Sequence, residues 1–410
     1  SLIVCPASLV LNWAEECRKF TPELSCVVVD GDAAHRAELA ESWPAADLVV
    51  TSYDLLRRDE TLYEGQEFYA CILDEAQAIK NHTTQKYKAV CKVRSRVRFA
   101  LTGTPVENRL GELWSIFSFL MPGYLPPYKS FCTRFEKPIV QEEDQTAVRR
   151  LNQLTGPFSL RRMKSDVLKE LPPKTENVYR IELEEEQRKL YLAAVVDARE
   201  KLQAAKPEDK MAVFAVLMRL REICCDPRLI ADNWEGGSTK LDACVELVSS
   251  AVEGGHRILL FSQFTSMLEL LAKRLDAEGI SHFTLQGSTP KPVRAELVRR
   301  FNGGEVSVFL ISLRAGGTGL NLTAADIVIH YDPWWNVAAQ NQATDRAYRI
   351  GQQNPVQVYK LIAQDTIEEK IVELQQAKQS LADTVTGTAD GAILSMRPDE
   401  LLQLLEGSEP

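Results

Sequence analysis

Two adjacent carboxylates follow an apolar run early in the chain. Asp74 and Glu75 come directly after residues 68–73, a run of aromatic and aliphatic side chains typical of a buried strand. Open α/β sheets bind ligands at the carboxyl ends of their strands. An acidic pair there can hold Mg²⁺ with one member and orient an attacking water with the other, as phosphoryl transfer requires. An ordinary surface loop also explains an isolated Asp-Glu pair, so this interpretation needs support from other segments.

Two turn segments rich in small residues offer such support. Residues 101–105 read Leu-Thr-Gly-Thr-Pro, and the hydroxyl groups of Thr102 and Thr104 are positioned either to bond the acidic pair or a terminal phosphate, or to form an ordinary turn. Residues 312–321 contain glycines that let main-chain amides approach an anion. This second segment lacks the Gly-Lys-Ser/Thr ending of a P-loop, and no other part of the 410 residues contains one.

A third group combines one amide and two guanidinium groups. Gln342, Arg346 and Arg349 are four and three residues apart, a spacing that predicts one face of a helix. Two arginines and an amide on one face form a multidentate clamp for phosphate or carboxylate. A solvated basic face is the alternative, but Trp334 and Trp335 just upstream favour a shaped site.

The elements that must position these groups form an α/β pattern that occurs twice. Short apolar runs alternate with helix-period segments in both halves, and a helical block spans residues 184–226. The fold class predicted is α/β, with two parallel-sheet lobes and helical insertions between them. The predicted strands are residues 2–5, 26–29, 48–51, 69–73, 98–101, 258–261, 283–285, 306–311, 327–331 and 356–362.

Domain boundaries follow from these shifts of pattern. The predicted segments are a first lobe (1–106), a helical insertion and interlobe linker (107–174), a helical insertion of the second lobe (175–240), the second lobe (241–375) and a helical tail (376–410). The chain opens at Ser1 inside an apolar strand pattern, without Met or a lead-in. We therefore expect further sequence before it.

Composition excludes several classes of protein. With 45% hydrophobic and 26% charged residues, the chain is globular, and its length predicts two or three domains. No apolar run is long enough to span a membrane. The net charge of −9 means that bulk electrostatics do not attract nucleic acid, so phosphate contacts require local surfaces. Nine scattered cysteines without a C-x-x-C pair argue against zinc and indicate a reducing cytoplasm.

Taken in order along the chain, these segments resemble the Swi/Snf family of helicase-related ATPases in helicase superfamily two. The resemblance covers nearly the whole chain, and several of its strings are specific to this family. The matching strings are residues 2–13 (motif Ia), 50–53 (Ib), 73–81 (II), 101–108 (III), 161–167 with 171–174 (the interlobe signature), 258–264 (IV), 286–290, 312–326 (V) and 342–352 (VI).

The resemblance implies two RecA-like lobes, ATP and Mg²⁺ as cofactors, and double-stranded DNA as partner. It assigns Asp74 to Mg²⁺ through water and Glu75 to the attacking water. It assigns Arg346 and Arg349 as arginine fingers. The remaining implied roles are nucleotide binding by Gln77, Gly319 and Gln342, coupling by Thr102, Gly103 and Thr104, and contact with the DNA backbone by Ser8, Asn12, Thr51, Ser52, Ser262, Gln263, Ser312 and Arg314.

Departures from the family pattern carry information as well. The lysine-bearing P-loop and the adenine-recognition segment are absent from these residues, so the chain alone is expected to hydrolyse ATP poorly or not at all. Tyr348 and Val337 stand where many eukaryotic members have His and Pro. Both departures resemble bacterial members, and neither removes a charged catalytic group.

Three functions remain open from the sequence. The first is a translocase that moves on double-stranded DNA and remodels what is bound ahead, RNA polymerase being one candidate target. The second is a strand-separating helicase of the same superfamily. The third is a non-catalytic scaffold that binds DNA or RNA polymerase, which the missing P-loop motivates.

Overall fold

The structure is a computed structural model of the chain. It describes residues 1–103, 110–142, 144–160, 162, 168, 170–204, 206, 209–231, 233–316, 320–375, 401–402 and 405, leaving aside the side chains of residues 210, 291 and 314. The described residues divide into two compact units after Arg162, here called the first unit and the second unit. None of the described helices is both long and apolar enough to cross a membrane.

The first unit is built on a five-stranded sheet in which all pairings are parallel. Its strands are β1 (Leu2–Cys5), β2 (Cys26–Val28), β3 (Leu48–Ser52), β4 (Glu67–Asp74) and β5 (Arg94–Leu101), in the order β2-β3-β1-β4-β5. The central strand β1 is buried along its whole length, as expected for a parallel strand covered on both faces. All five strands coincide with predicted ones, although β4 and β5 start earlier than predicted.

Helices connect these strands and extend the first unit beyond β5. The α-helices are Val10–Phe20, Ala33–Ser42, Tyr53–Arg58, Glu60–Tyr63, Gln85–Lys92, Leu110–Leu120, Tyr128–Phe131, Lys137–Gln141 and Gln145–Thr155, with a π-helical turn at Cys132–Glu136 and 3₁₀ turns at Trp43–Ala45, Ala76–Ile79 and Gly156–Phe158. Polar side chains cap several of them: Asp32 accepts a hydrogen bond from His35 N, and Ser52 accepts one from Leu55 N.

The second unit contains a six-stranded sheet whose pairings are again all parallel. Its strands are β6 (Lys174–Ile181), β7 (Ile258–Ser262), β8 (His282–Leu285), β9 (Val308–Ser312), β10 (Ile327–His330) and β11 (Val356–Ala363), in the order β6-β11-β10-β7-β9-β8. Its α-helices are Glu185–Ala204, Lys210–Cys225, Thr239–Glu253, Thr265–Ala277, Lys291–Asn302, Leu313–Gly316, Val337–Thr344 and residues 367–375, with a 3₁₀ turn at Pro227–Leu229.

Strand β6 is the one element of this sheet that sequence reasoning missed. It lies in a segment predicted to be helical, and only Ile181 of its eight residues is buried. An edge strand that faces water needs no apolar run, so its sequence carries no hydrophobic signal. The strand is held instead by full pairing with β11 and by ion pairs from Glu176 to Lys174 and Lys360.

Candidate active site

Asp74 is the last residue of β4, and hydrogen bonds from two elements fix its carboxylate. One oxygen accepts a hydrogen bond from the backbone N–H of Glu75 at 2.9 Å. The other accepts one from Trp13 Nε1 at 2.8 Å. The group is half-buried at the carboxyl edge of the sheet, where the sequence predicted it.

Glu75 turns the chain away from the strand in a left-handed conformation. Its φ is 50° and its ψ is 53°, and the 3₁₀ turn Ala76–Ile79 begins immediately after it. For a residue with a Cβ this conformation costs about 1–2 kcal/mol. Such strain persists where the surroundings impose it, and it concentrates at functional sites. Nothing in the sequence signals this conformation.

A chain of hydrogen bonds joins Glu75 to the strand next to β4. Gln77 Nε2 donates to Glu75 Oε2 at 2.6 Å, and Thr102 Oγ1 donates to Gln77 Oε1 at 2.8 Å. The register of the sheet explains this contact, since Leu101 at the end of β5 is paired with Asp74. The Thr102 hydroxyl thus reaches the acidic pair through Gln77. Gly103 follows at the surface, and Thr104 lies outside the described residues.

Two aromatic residues that sequence reasoning did not assign to the site also reach Asp74. Trp13 bonds its carboxylate, and the Tyr53 hydroxyl donates to its backbone carbonyl at 2.9 Å. Burial, reinforced by the negative charge of Asp74, raises the pKa of Tyr53 far above its usual value, so the hydroxyl stays a donor. Trp13 and Tyr53 directly follow Asn12 and Ser52, which the sequence did predict as site residues. This adjacency is the one sequence feature that could have indicated their role.

The polar residues predicted to contact DNA in the first unit differ in exposure. Asn12 is exposed on the helix Val10–Phe20, and Ser8 is half-buried just before it. Thr51 is fully buried, and its hydroxyl accepts a hydrogen bond from Tyr63 at 3.0 Å. Ser52 is buried and caps the next helix. The side chains of Thr51 and Ser52 therefore support the strand end from inside the unit.

A polar cluster also lies at the carboxyl edge of the second sheet. Ser262 and Ser312 are paired across β7 and β9. Ser262 Oγ donates to Asp332 Oδ1 at 2.6 Å, and the Gln263 backbone N–H bonds the same carboxylate oxygen at 3.2 Å. Asp332 in turn pairs with Arg221, and sequence reasoning assigned neither residue. The buried atoms Ser312 Oγ and Gln263 Nε2 have no hydrogen-bond partner among the described residues.

The predicted helical face for Gln342, Arg346 and Arg349 is wrong. The helix is Val337–Thr344, so Gln342 is helical and the two arginines lie in the turns that follow. The Arg346 carbonyl accepts a hydrogen bond from Leu322 N at 3.0 Å, outside a helical pattern. The Arg346 carbonyl is therefore committed to a distant segment of the chain and not to a further helical turn.

The turns bring both arginines beside the segment that follows the glycine-rich loop. Arg349 Nη1 donates to the Leu320 carbonyl at 3.3 Å, and Arg346 is almost fully buried. Gln352 Nε2 ties the turns down by donating to the Ala325 and Ala347 carbonyls at 2.7 and 3.1 Å. Gly319 and the side chain of Arg314 lie outside the described residues.

Three arginines outside these sites have partners within the part of the chain that the structure describes. Arg299 pairs with Glu296, Arg300 with Glu305, and Arg98 donates to the Phe119 and Val93 carbonyls. These side chains therefore contribute little free positive charge for nucleic acid.

Comparison with known families and structures gives the class of protein. The SNF2-related domain matches residues 1–229, and the helicase conserved C-terminal domain matches residues 239–351. The chain belongs to the SNF2 family. A solved structure of the SWI2/SNF2 ATPase core of Sulfolobus solfataricus in complex with double-stranded DNA is 34% identical, with a TM-score of 0.50 over 99% of this chain and 86% of that one. This likeness confirms the predicted pair of parallel-sheet, RecA-like lobes.

Two curated relatives are similar to this chain over part of their own length. The putative ATP-dependent helicase/translocase YwqA of Bacillus subtilis is 39% identical over 98% of this chain and 45% of its own length. The human TATA-binding protein-associated factor 172 is 36% identical over 98% of this chain and 25% of its own length. The chain thus spans less than half the length of these relatives.

Proposed function

We propose that this chain is the motor region of a DNA-dependent ATPase that translocates on double-stranded DNA and remodels protein–DNA complexes. The observation that carries the proposal is the hydrogen-bonded chain from Thr102 through Gln77 to Glu75, next to the fixed carboxylate of Asp74. It supports the proposal because a nucleotide hydrolase needs an acidic pair whose side chains are held in place at a strand end. Family membership and the likeness to a DNA-bound core support it.

The donors at the end of β4 fit hydrated magnesium. Asp74 offers carboxylate oxygens, the ligand type that Mg²⁺ prefers, and each oxygen accepts one hydrogen bond from the described residues, which leaves lone pairs for metal-bound water. Bound Mg²⁺ would neutralise phosphate charge. In this proposal Asp74 holds the hydrated ion, while Glu75 orients the attacking water and accepts its proton.

The other predicted residues complete the proposal. Arg346 and Arg349 stabilise the charge that develops on the transferred phosphoryl group. Gln77, Gly319 and Gln342 contact the nucleotide, and Thr102, Gly103 and Thr104 couple hydrolysis to movement. The proposed contacts with the DNA backbone are Ser8, Asn12, Thr51, Ser52, Ser262, Gln263, Ser312 and Arg314. Because the hydroxyl groups of Thr51 and Ser52 are buried, these two residues would contact DNA through their main-chain groups.

The proposed target is a DNA-bound protein on the bacterial nucleoid, such as RNA polymerase. The relatives support the general kind of target, since one of them is named for association with the TATA-binding protein. Small polar groups and main-chain amides position a phosphate backbone without reading its sequence. A chain of net charge −9 therefore needs only local surfaces to follow DNA.

The decisive experiment uses the protein as its gene encodes it, because the 410 residues contain no Gly-Lys-Ser/Thr loop. ATP hydrolysis is measured with and without double-stranded DNA, and displacement of a triplex-forming strand is compared with unwinding of the duplex. We expect DNA-stimulated hydrolysis and triplex displacement. Unwinding of a blunt duplex without triplex displacement would identify a helicase, and DNA binding without hydrolysis would identify a scaffold.

A further inference from the structure

Two first-unit helices that carry or directly follow proposed DNA contacts each direct an aromatic side chain to Asp74. The helix Val10–Phe20 carries the exposed Asn12 and, one residue later, Trp13. The helix Tyr53–Arg58 follows Ser52 directly and begins with Tyr53. Each aromatic residue ends in one polar group, and both polar groups bond the residue that is proposed to hold magnesium.

The Trp13 contact determines the orientation of the carboxylate. An indole N–H can only donate, and a hydrogen bond to an ionised acceptor is stronger than a neutral one. Trp13 lies 61 residues from Asp74 along the chain, and among the described residues its 2.8 Å hydrogen bond is the contact that ties this carboxylate to another element. The second carboxylate bond comes from the adjacent residue, Glu75, and moves with the strand.

The helix that carries Trp13 has one buried and one exposed face. Val10, Ala14 and Cys17 pack into the unit, whereas Leu11 and Asn12 face outward. A ligand that engages the exposed face therefore acts on the same rigid element that holds the Asp74 carboxylate. Tyr53 adds a second attachment at the backbone of Asp74.

We propose that Trp13 is a positioning residue that transmits DNA contact at the helix Val10–Phe20 to the Asp74 carboxylate, with Tyr53 fixing the strand end. The inference rests on the proposed DNA-dependent ATPase function. DNA that binds at Asn12 determines the position of the helix. The position of the helix determines where the Trp13 N–H lies, and the N–H determines the orientation of the Asp74 carboxylate. Stimulation of turnover by DNA follows from this connection.

The test removes the polar tips and keeps the rings, with Trp13→Phe and Tyr53→Phe in the gene-encoded protein. The matched control is Trp43→Phe, because Trp43 is buried in the same unit and its Nε1 has no hydrogen-bond partner among the described residues. The readouts are basal turnover, DNA-stimulated turnover, the Mg²⁺ concentration for half-maximal rate, and DNA affinity by fluorescence anisotropy.

For Trp13→Phe we expect about a tenfold loss of DNA-stimulated turnover, which corresponds to the loss of one hydrogen bond to a charged group. The Mg²⁺ concentration for half-maximal rate should also rise. DNA affinity should match that of wild type and Trp43→Phe. Tyr53→Phe should lower turnover and leave DNA affinity unchanged. This variant provides a second test if Trp13→Phe folds poorly.

Each result separates the inference from the function on which it rests. Wild-type protein without DNA stimulation would overturn the proposed function. If DNA stimulates the wild-type protein, and Trp13→Phe shows the same stimulation and the same Mg²⁺ dependence as wild type, the inference is overturned and the proposed function is not. Loss of DNA affinity in Trp13→Phe with unchanged Mg²⁺ dependence would also overturn it, because Trp13 would then belong to the DNA-contacting surface.

Discussion

Arg221 and Asp332 form an ion pair in the interior of the second unit, with 3.1 Å between Nη2 and Oδ2 and no exposure of either side chain. Trp335 packs on the guanidinium, with its ring centre 4.6 Å from Cζ. The other Asp332 oxygen accepts a hydrogen bond from the Ser262 hydroxyl. The pair thus connects the helix Lys210–Cys225 to the proposed DNA contacts at Ser262 and Gln263.

Asp332→Asn keeps the shape of the side chain and removes its charge. Because Arg221 would then be a buried charge without its partner, we expect a loss of about 3 kcal/mol in the free energy of unfolding of the second unit. Urea denaturation followed by circular dichroism measures this. The double variant Arg221→Met/Asp332→Leu should recover part of the loss. Glu296→Gln, which breaks an exposed pair with Arg299, is the control and should leave the midpoint unchanged. Equal midpoints for Asp332→Asn and the control would contradict the prediction.

Glu75→Gln should separate nucleotide binding from hydrolysis. The amide keeps the size of the side chain but cannot accept the proton of the attacking water, so kcat should fall by about 10²–10⁴-fold. ATP affinity, measured with a fluorescent analogue, should stay near that of wild type. The control is Glu38→Gln, which changes an exposed carboxylate of the same unit. Undiminished hydrolysis would remove Glu75 from its proposed role.

Arg349→Ala should depress kcat by about 10³-fold through loss of charge stabilisation in the transition state. Steady-state hydrolysis at saturating DNA and ATP tests this, with DNA affinity measured in parallel. Arg299→Ala removes an exposed arginine of the same unit and serves as the control. If Arg349→Ala changes only DNA affinity, this arginine binds phosphate of the DNA backbone and is not an arginine finger.

His330 predicts a pH dependence of stability in the second unit. Burial, with the positive charges of Lys360 and Lys174, lowers the pKa of His330 to about 3. The ring is therefore neutral in the fold, stacked on Phe261 and hydrogen-bonded to Thr344 at 2.9 Å. Below pH 6.5 the unfolded state binds a proton that the folded state does not, so stability is present above this pH and is lost as the pH falls toward 3.

The expected loss is at most about 1.4 kcal/mol per pH unit. Urea denaturation of the second unit between pH 7 and pH 5 measures it. His330→Gln cannot titrate and should flatten this dependence, whereas His35→Gln, on the first unit, should leave it in place. An identical slope in His330→Gln would assign the acid sensitivity to other groups.

Local sequence patterns predicted most strands because burial on both faces requires apolar runs. Residues 2–5, 48–51 and 327–331 were found almost as predicted, and the acidic pair does lie at the carboxyl end of a strand, with Asp74 as the last residue of β4 and Glu75 directly after it. The motif strings also indicated the family, which comparison confirmed. These features depend on neighbours in the chain, so the sequence alone sufficed.

Contacts between distant residues required the tertiary structure. Trp13 and Asp74 are 61 residues apart, Arg221 and Asp332 are 111 apart, and no periodicity relates either pair. The two arginines lie in turns after Thr344, where the Arg346 carbonyl bonds Leu322 N, a contact that no local spacing encodes. The sequence determined which chemical groups this protein carries at its strand ends. Only the packing of helices against the sheets decided which distant side chains hold those groups in place, because hydrogen bonds form wherever topology brings a donor to an acceptor.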